Sequence, residues 1–104
     1  MTDIHPTALP ADATLLDVRE PHEWQAGHAP GAVHIPMSTI TERVAEIPSG
    51  CVYVICRSGH RSGQVAAWLA AQGWEAVNVA GGMQAWAAAG LPMDAETGAE
   101  PAVV

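Results

Sequence analysis

Short apolar runs alternate along this chain with stretches in which apolar residues recur every three or four positions. The first kind of pattern reads as buried strand and the second as amphipathic helix. Thr14 to Val18 (TLLDV) reads as a strand closed by Arg19, Glu20 and Pro21. Pro21 to Gln25 then reads as a short helix, since Pro is tolerated in a first turn. Gly27 to Gly31 is turn-rich and leads to a short strand at Ala32 to Ile35, which Pro36 ends. Ile40, Val44 and Ile47 lie at helical spacing, so a helix is predicted over Ser38 to Ile47 with Ser38 as its cap. Cys51 to Ile55 (CVYVI) is the strongest strand signal, β-branched and apolar. Ser62 to Gln72 reads as a helix with Val65, Trp68 and Leu69 on one face, stopped by Gly73. Ala76 to Val79 is a further strand, and Gly81-Gly82 turns into a last helix, Met83 to Ala89. Asp3 to His5 is expected to add an edge strand. Residues 1–92 are read as one domain, and 93–104 (MDAETGAEPAVV), acidic and without period, as a flexible tail.

Apolar strands separated by helices imply an α/β fold with a mainly parallel sheet covered on both faces. Ligands in such sheets bind outside the carboxyl ends of the strands. Cys56 falls there, after the clearest strand and before the clearest helix.

Composition narrows the function classes. Nearly half of the 104 residues are hydrophobic, which suits one compact core and argues against disorder. No apolar run approaches the roughly 18 to 20 residues of a bilayer span. The opening Met1 to Pro6 has no basic stretch followed by an apolar one, so no secretory signal is expected. The net charge is −7, and all four cations are Arg: Arg19, Arg43, Arg57 and Arg61. Nucleic acid and membrane partners are therefore not expected, because phosphate affinity rests on clustered positive charge. Arg57 and Arg61 both lie within five residues of Cys56, and such a local basic spot can focus a small anion.

Cys51 and Cys56 bracket a predicted strand, which would hold their Cα atoms roughly 16 Å apart at about 3.3 Å per residue. A disulfide needs about 4.4 to 6.8 Å. Both are expected to be free thiols, in keeping with a reducing, cytoplasmic setting. They offer no CxxC pair for zinc, and no cofactor is expected.

The segment Cys56-Arg57-Ser58-Gly59-His60-Arg61-Ser62 joins strand to helix. A tight loop feeding a helix turns successive N–H groups inward and makes an anion-binding concavity. Gly59 permits the backbone such a cradle needs, and Ser62 can cap the helix. Inward amides with Arg57 and Arg61 should favour thiolate over thiol at Cys56, since cysteines in electropositive sites fall well below the free value of about 8.5. The same cradle would hold an anionic persulfide.

At this point the chain resembles the rhodanese family, in its single-domain members. Four segments carry the resemblance: Leu16-Asp17-Val18-Arg19-Glu20; Gly27-His28-Ala29-Pro30-Gly31-Ala32-Val33-His34-Ile35-Pro36; the loop CRSGHRS; and Gly81-Gly82-Met83-Gln84-Ala85-Trp86. Together, in this order and over residues 3–92, they are specific. The resemblance implies a rhodanese-like fold, a five-stranded parallel sheet flanked by helices. It implies Cys56 as the persulfide-bearing nucleophile, with loop amides and Arg61 as the anion site. It also implies a thiosulfate-like donor and a cyanide or thiol acceptor. Cys56 is thus the expected catalytic residue, and Arg57, Ser58, Gly59, His60, Arg61 and Ser62 the expected substrate-binding set.

Bland roles are expected elsewhere. Asp17 and Arg19 are read as structural support, with Arg19 bracing through carboxylates such as Glu20 or Glu23. His28 and His34 are read as hydrogen-bonded structural residues and not as a metal pair, and Cys51 as a packing residue. Trp24, Trp68, Trp74 and Trp86 are read as core or rim aromatics. Three rival functions remain. A phosphatase of similar architecture uses five residues between Cys and Arg, whereas four, Arg57 to His60, separate Cys56 from Arg61 here. A non-catalytic module of the same fold often lacks the nucleophile that this chain has. A persulfide carrier that delivers sulfur to a partner protein shares the chemistry and differs only in its acceptor.

Overall fold

Alternation along the strands sorts the apolar side chains into two layers, one on each face of a sheet. The computed structural model describes residues 3–104. Met1 and Thr2, where the segment read for a secretory signal begins, lie outside the described residues. The strands are β1 (Asp3–Ile4), β2 (Thr14–Asp17), β3 (Val33–His34), β4 (Val52–Ile55) and β5 (Ala76–Val79), in the order β1-β5-β4-β2-β3. All pairings are parallel, with Leu16 opposite Val33 and Val54, and Val54 opposite Asn78. The edge strand expected near the N-terminus is present as Asp3–Ile4 against β5.

The connections include α1 (Pro21–Ala26), α2 (His60–Ala71) and α3 (Gly82–Ala88). On one face Leu16, Val52 and Val54 pack with Val65, Ala66 and Leu69 of α2 and with Ile40 and Ile47. On the other, Leu15, Ile55 and Val79 pack with Met83 and Trp86 of α3. The chain is therefore an α/β fold with a five-stranded parallel sheet covered on both faces, the architecture that the resemblance implies. Among the described residues no helix is long and apolar enough to cross a membrane.

Three local expectations are corrected. The helix expected over 38–47 is instead two 3-10 segments, Met37–Glu42 and Val44–Glu46. The β-branched Thr39, Ile40 and Thr41 are poor helix formers, and the Thr39 hydroxyl donates to the Pro36 carbonyl at 3.1 Å, a local bond that competes with the helical ladder. Second, α2 begins at His60, after Gly59 at φ 99°, so Ser62 lies inside the first turn and does not cap it. Third, the acidic tail is laid down along α1. His28 and Asp94 exchange backbone bonds of 2.8 and 2.9 Å, and the N–H groups of Glu96 and Ala102 donate to the carbonyls of Gln25 and Ala26. Met93 and Val103 add to the α3-side core. Gly27 permits this approach, since a Cβ there would meet the Ala102 carbonyl oxygen at 2.6 Å.

The point that positions the functional loop is the turn into α3. Gly81 and Gly82 have φ of 73° and 55°, and a Cβ on Gly82 would collide with the carbonyl oxygens of Cys56 and Arg57. Gly82→Ala is expected to destabilise the protein by more than about 2 kcal/mol, combining left-handed strain with a backbone clash. Urea unfolding checks this, and a cost under about 0.5 kcal/mol would refute the close approach.

Candidate active site

Backbone polarity builds the site. β4 ends at Ile55, and the N–H of Val18 bonds the Ile55 carbonyl at 3.1 Å, tying the ends of β2 and β4 together. The next two carbonyls, of Cys56 and Arg57, accept the N–H groups of Met83 and Gln84 at 2.8 and 3.0 Å. The first free N–H groups of α3 are satisfied in this way. Further along the loop, the N–H of Gly59 donates to Cys56 Sγ at 3.1 Å.

Ser62 is turned toward the same sulfur, its hydroxyl 3.2 Å from Cys56 Sγ and also in contact with Asn78 Oδ1. Asn78 Nδ2 donates to the Gly59 carbonyl at 3.1 Å, which fixes the amide orientation. Asn78 is a buried residue that the sequence analysis did not single out, and its signal is a lone polar position in the otherwise apolar strand AVNV. Burial pushes the Cys56 thiol up. The Ser62 hydroxyl and the N–H groups of Ser62, Gly59 and Ser58 outweigh that effect, so its pKa is lowered overall.

Although it lies at the start of a loop, Cys56 does not face solvent. It is 0 % exposed and belongs to the α2-side core, beneath an exposed rim formed by Arg57, Ser58 and His60. Both cysteines are free, and Cys51 lies half-buried beyond the opposite end of β4.

The guanidinium groups are partnered differently from expectation. Arg61, expected at the anion site, gives both terminal nitrogens to Glu23, at 2.7 and 2.8 Å. Glu23 Oε1 also accepts the Glu20 N–H at 3.0 Å in the first turn of α1. Arg61 holds the Glu23 carboxyl down, against burial and with help from the Glu20 N–H and Arg19, at about 2 instead of 4.5. Arg19 braces through Asp17 and not through Glu20 or Glu23. Both are 0 % exposed, Arg19 Nη2 lies 2.8 Å from Asp17 Oδ2, and the same nitrogen donates to the Gly27 carbonyl at 2.7 Å. The short reach from Asp17 to Arg19 on one strand end favours this local pair over a carboxylate in the next element.

The aromatic and imidazole groups form a wall behind α1. Trp24 stacks on His28 at 3.7 Å and on His34 at 4.7 Å between ring centroids. His34 Nε2 bonds the Arg19 carbonyl at 2.8 Å, and His28 Nε2 lies 3.0 Å from Glu96 Oε1. These are the hydrogen-bonded structural roles read from the sequence, and the Glu96 partner comes from the docked tail.

The pattern of the rhodanese-like domain family matches residues 7–89. A protein named sulfurtransferase from Allochromatium vinosum is 45 % identical over 89 residues, covering 84 % of this chain and 83 % of that one. The putative sulfurtransferase YtwF of Bacillus subtilis is 49 % identical over 73 residues, 69 % of this chain and 71 % of its own. Among solved structures, a rhodanese-related protein from Thermoplasma volcanium superposes with a TM-score of 0.85 at 32 % identity, covering 90 % of this chain and 98 % of that one.

Two outcomes follow from the electrostatics. Ser62→Ala is expected to raise the Cys56 pKa, seen as a shift of the thiolate ultraviolet absorbance to higher pH; an unmoved titration would remove Ser62 from the thiolate's support. Glu23 has a folded pKa below its unfolded one, so its contribution to stability is complete above about pH 4.5 and drains away as pH falls toward 2. Urea midpoints from pH 7 to 3 should therefore fall less steeply in Glu23→Gln than in the parent.

Proposed function

The chain belongs to the rhodanese-like domain family, and on that premise we propose that it is a sulfurtransferase that carries sulfur as a persulfide on Cys56. The observation that supports this most is the sulfur at a strand end facing the Gly59 N–H and the Ser62 hydroxyl, with its pKa lowered despite burial. That environment suits a thiolate nucleophile and an anionic persulfide equally.

The donor is a small anion that carries a sulfane sulfur, and thiosulfate is the simplest case. Cys56 thiolate attacks its outer sulfur, the donor S–S bond breaks, and sulfite leaves with the electron pair. A new S–S bond then joins Cys56 Sγ to a terminal sulfur that bears the negative charge. A thiophilic acceptor, cyanide or a thiol, attacks that terminal sulfur and restores the thiolate. No proton shuttle is needed and no cofactor enters. Arg57, Ser58, Gly59, His60 and Ser62 surround the entering donor, while Asp17 and Arg19 hold the neighbouring strand end. Arg61 supports the loop through Glu23. Two free thiols suit a reducing, cytoplasmic location.

A second reading makes the acceptor a partner protein. It draws support from a putative sulfur carrier protein of Bacillus subtilis that is 42 % identical over 74 residues, 69 % of this chain and 40 % of that one.

Treatment with thiosulfate should add about 32 Da, one sulfur atom, to the peptide that contains Cys56, and dithiothreitol should remove it. Cys56→Ser should abolish the gain while keeping stability within about 1 kcal/mol, because a Ser hydroxyl can accept the same donors. Absence of any mass gain on the parent protein would refute the proposal.

A further inference from the structure

Positive charge near the sulfur is scarcer than the sequence suggests. Of the four cations in a chain of net charge −7, Arg19 pairs with Asp17, Arg43 with Glu46 and Arg61 with Glu23. Among the described residues Arg57 alone has no ion pair. The Arg61–Glu23 pair is bidentate, and its carboxylate is almost buried, with 8 % of the side chain exposed. Arg61 also senses the charges of Cys56 and Glu20. An approaching donor therefore meets a cation cancelled by one carboxylate, with a second carboxylate close by.

We infer that Glu23 is a specificity-determining residue whose carboxylate neutralises Arg61 and turns the site toward donors of low charge, the monoanionic persulfides of small thiols, over the doubly charged thiosulfate. This rests on the persulfide reading of Cys56. Transfer from such a donor balances without any further reagent: Cys56 thiolate attacks the terminal sulfur of RSS⁻, the donor S–S bond breaks, the thiolate RS⁻ leaves with the electron pair, and Cys56 keeps one negatively charged terminal sulfur. The Coulomb cost of approach scales with donor charge. One unit of site charge at roughly 8 Å across water changes the rate for a dianion about fivefold and for a monoanion about twofold at low ionic strength, and salt shrinks both.

The test uses the whole chain and reads the second-order rate at which Cys56 gains one sulfur, by mass spectrometry. The donors are thiosulfate and the persulfide of 2-mercaptoethanol, whose parent thiol carries no other charge. Glu23→Gln should speed loading by thiosulfate about fivefold and by the persulfide about twofold, and Arg61→Ala should slow them by the same factors. The double variant, with both charges removed, should return to within about twofold of the parent for each donor. A merely structural role for the pair predicts slower loading in every variant and equal factors for the two donors, and that result overturns the inference. Should Glu23→Gln not fold, the Arg61→Ala arm decides alone: unequal slowing supports the inference and equal slowing overturns it. If neither donor adds sulfur to Cys56 in the parent protein, the sulfurtransferase reading itself falls, and this inference with it.

Discussion

The bonds from Met83 and Gln84 N–H to the carbonyls of Cys56 and Arg57 are the constraint on which the site depends. A peptide unit is planar, so engaging a carbonyl orients the following N–H as well. By holding the carbonyls of Cys56 and Arg57 against α3, the structure turns the N–H groups of Arg57 and Ser58 away from that helix, and the Gly59 N–H that follows donates to the sulfur. The arrangement requires α3 to come nearer than any side chain at Gly82 would allow. It also requires the loop to stay seated on β5, which Asn78 achieves by bonding the Gly59 carbonyl. The site's electrostatics are thus a by-product of how two helix starts share one loop.

Opposite α3 the loop is supported by ion pairs, with different consequences. Asp17 and Arg19 are fully buried, and desolvation offsets much of what such a pair gains. Its contribution lies in fixing where β2 ends and where α1 begins: Arg19 reaches the Gly27 carbonyl, and its own carbonyl holds His34. Trp24, stacked on both His28 and His34, ties that position to α1 and so to Glu23. Glu23 then grips Arg61 at the first turn of α2. A chain of short contacts thereby links the end of β2 to the far side of the sulfur loop.

The parallel sheet and the position of Cys56 at the carboxyl end of a strand were legible because they follow from local patterns. CVYVI, TLLDV and AVNV are short, apolar and separated by helical stretches, and these features suffice for a parallel sheet with chemistry at its carboxyl ends. The Gly-rich turn and the CRSGHRS loop were legible for the same reason. What the pattern did not reveal was partner choice. Arg61 can reach any of several carboxylates, and only the placement of α1 brings Glu23 to it. The helix expected at 38–47 failed because the spacing of Ile40, Val44 and Ile47 satisfies two 3-10 turns as well as one helix. The tail carried no period, yet backbone bonding to Gln25, Ala26 and His28 holds it, and hydrophobic patterning does not register such pairing. Burial of Cys56 was equally hidden, since a loop position gives no sign of how closely a neighbouring helix start will cover it.

That burial bears on which form of the sulfur reacts with what. Enclosure disfavours the thiolate, and hydrogen bonds from Gly59 and Ser62 more than offset that cost, so the thiol's pKa is lowered and not raised. With Cys56 0 % exposed, the proposed reading requires a donor that reaches the sulfur with a narrow terminal atom. On the proposed reading, a persulfide adds an S–S bond of about 2.05 Å, which carries the transferable sulfur outward from the core toward the rim of Arg57, Ser58 and His60. The loaded and unloaded forms then differ in exposure as well as in composition. On that reading sulfur is accepted and supplied at the same strand end, and neither step requires the sheet that holds the loop to move.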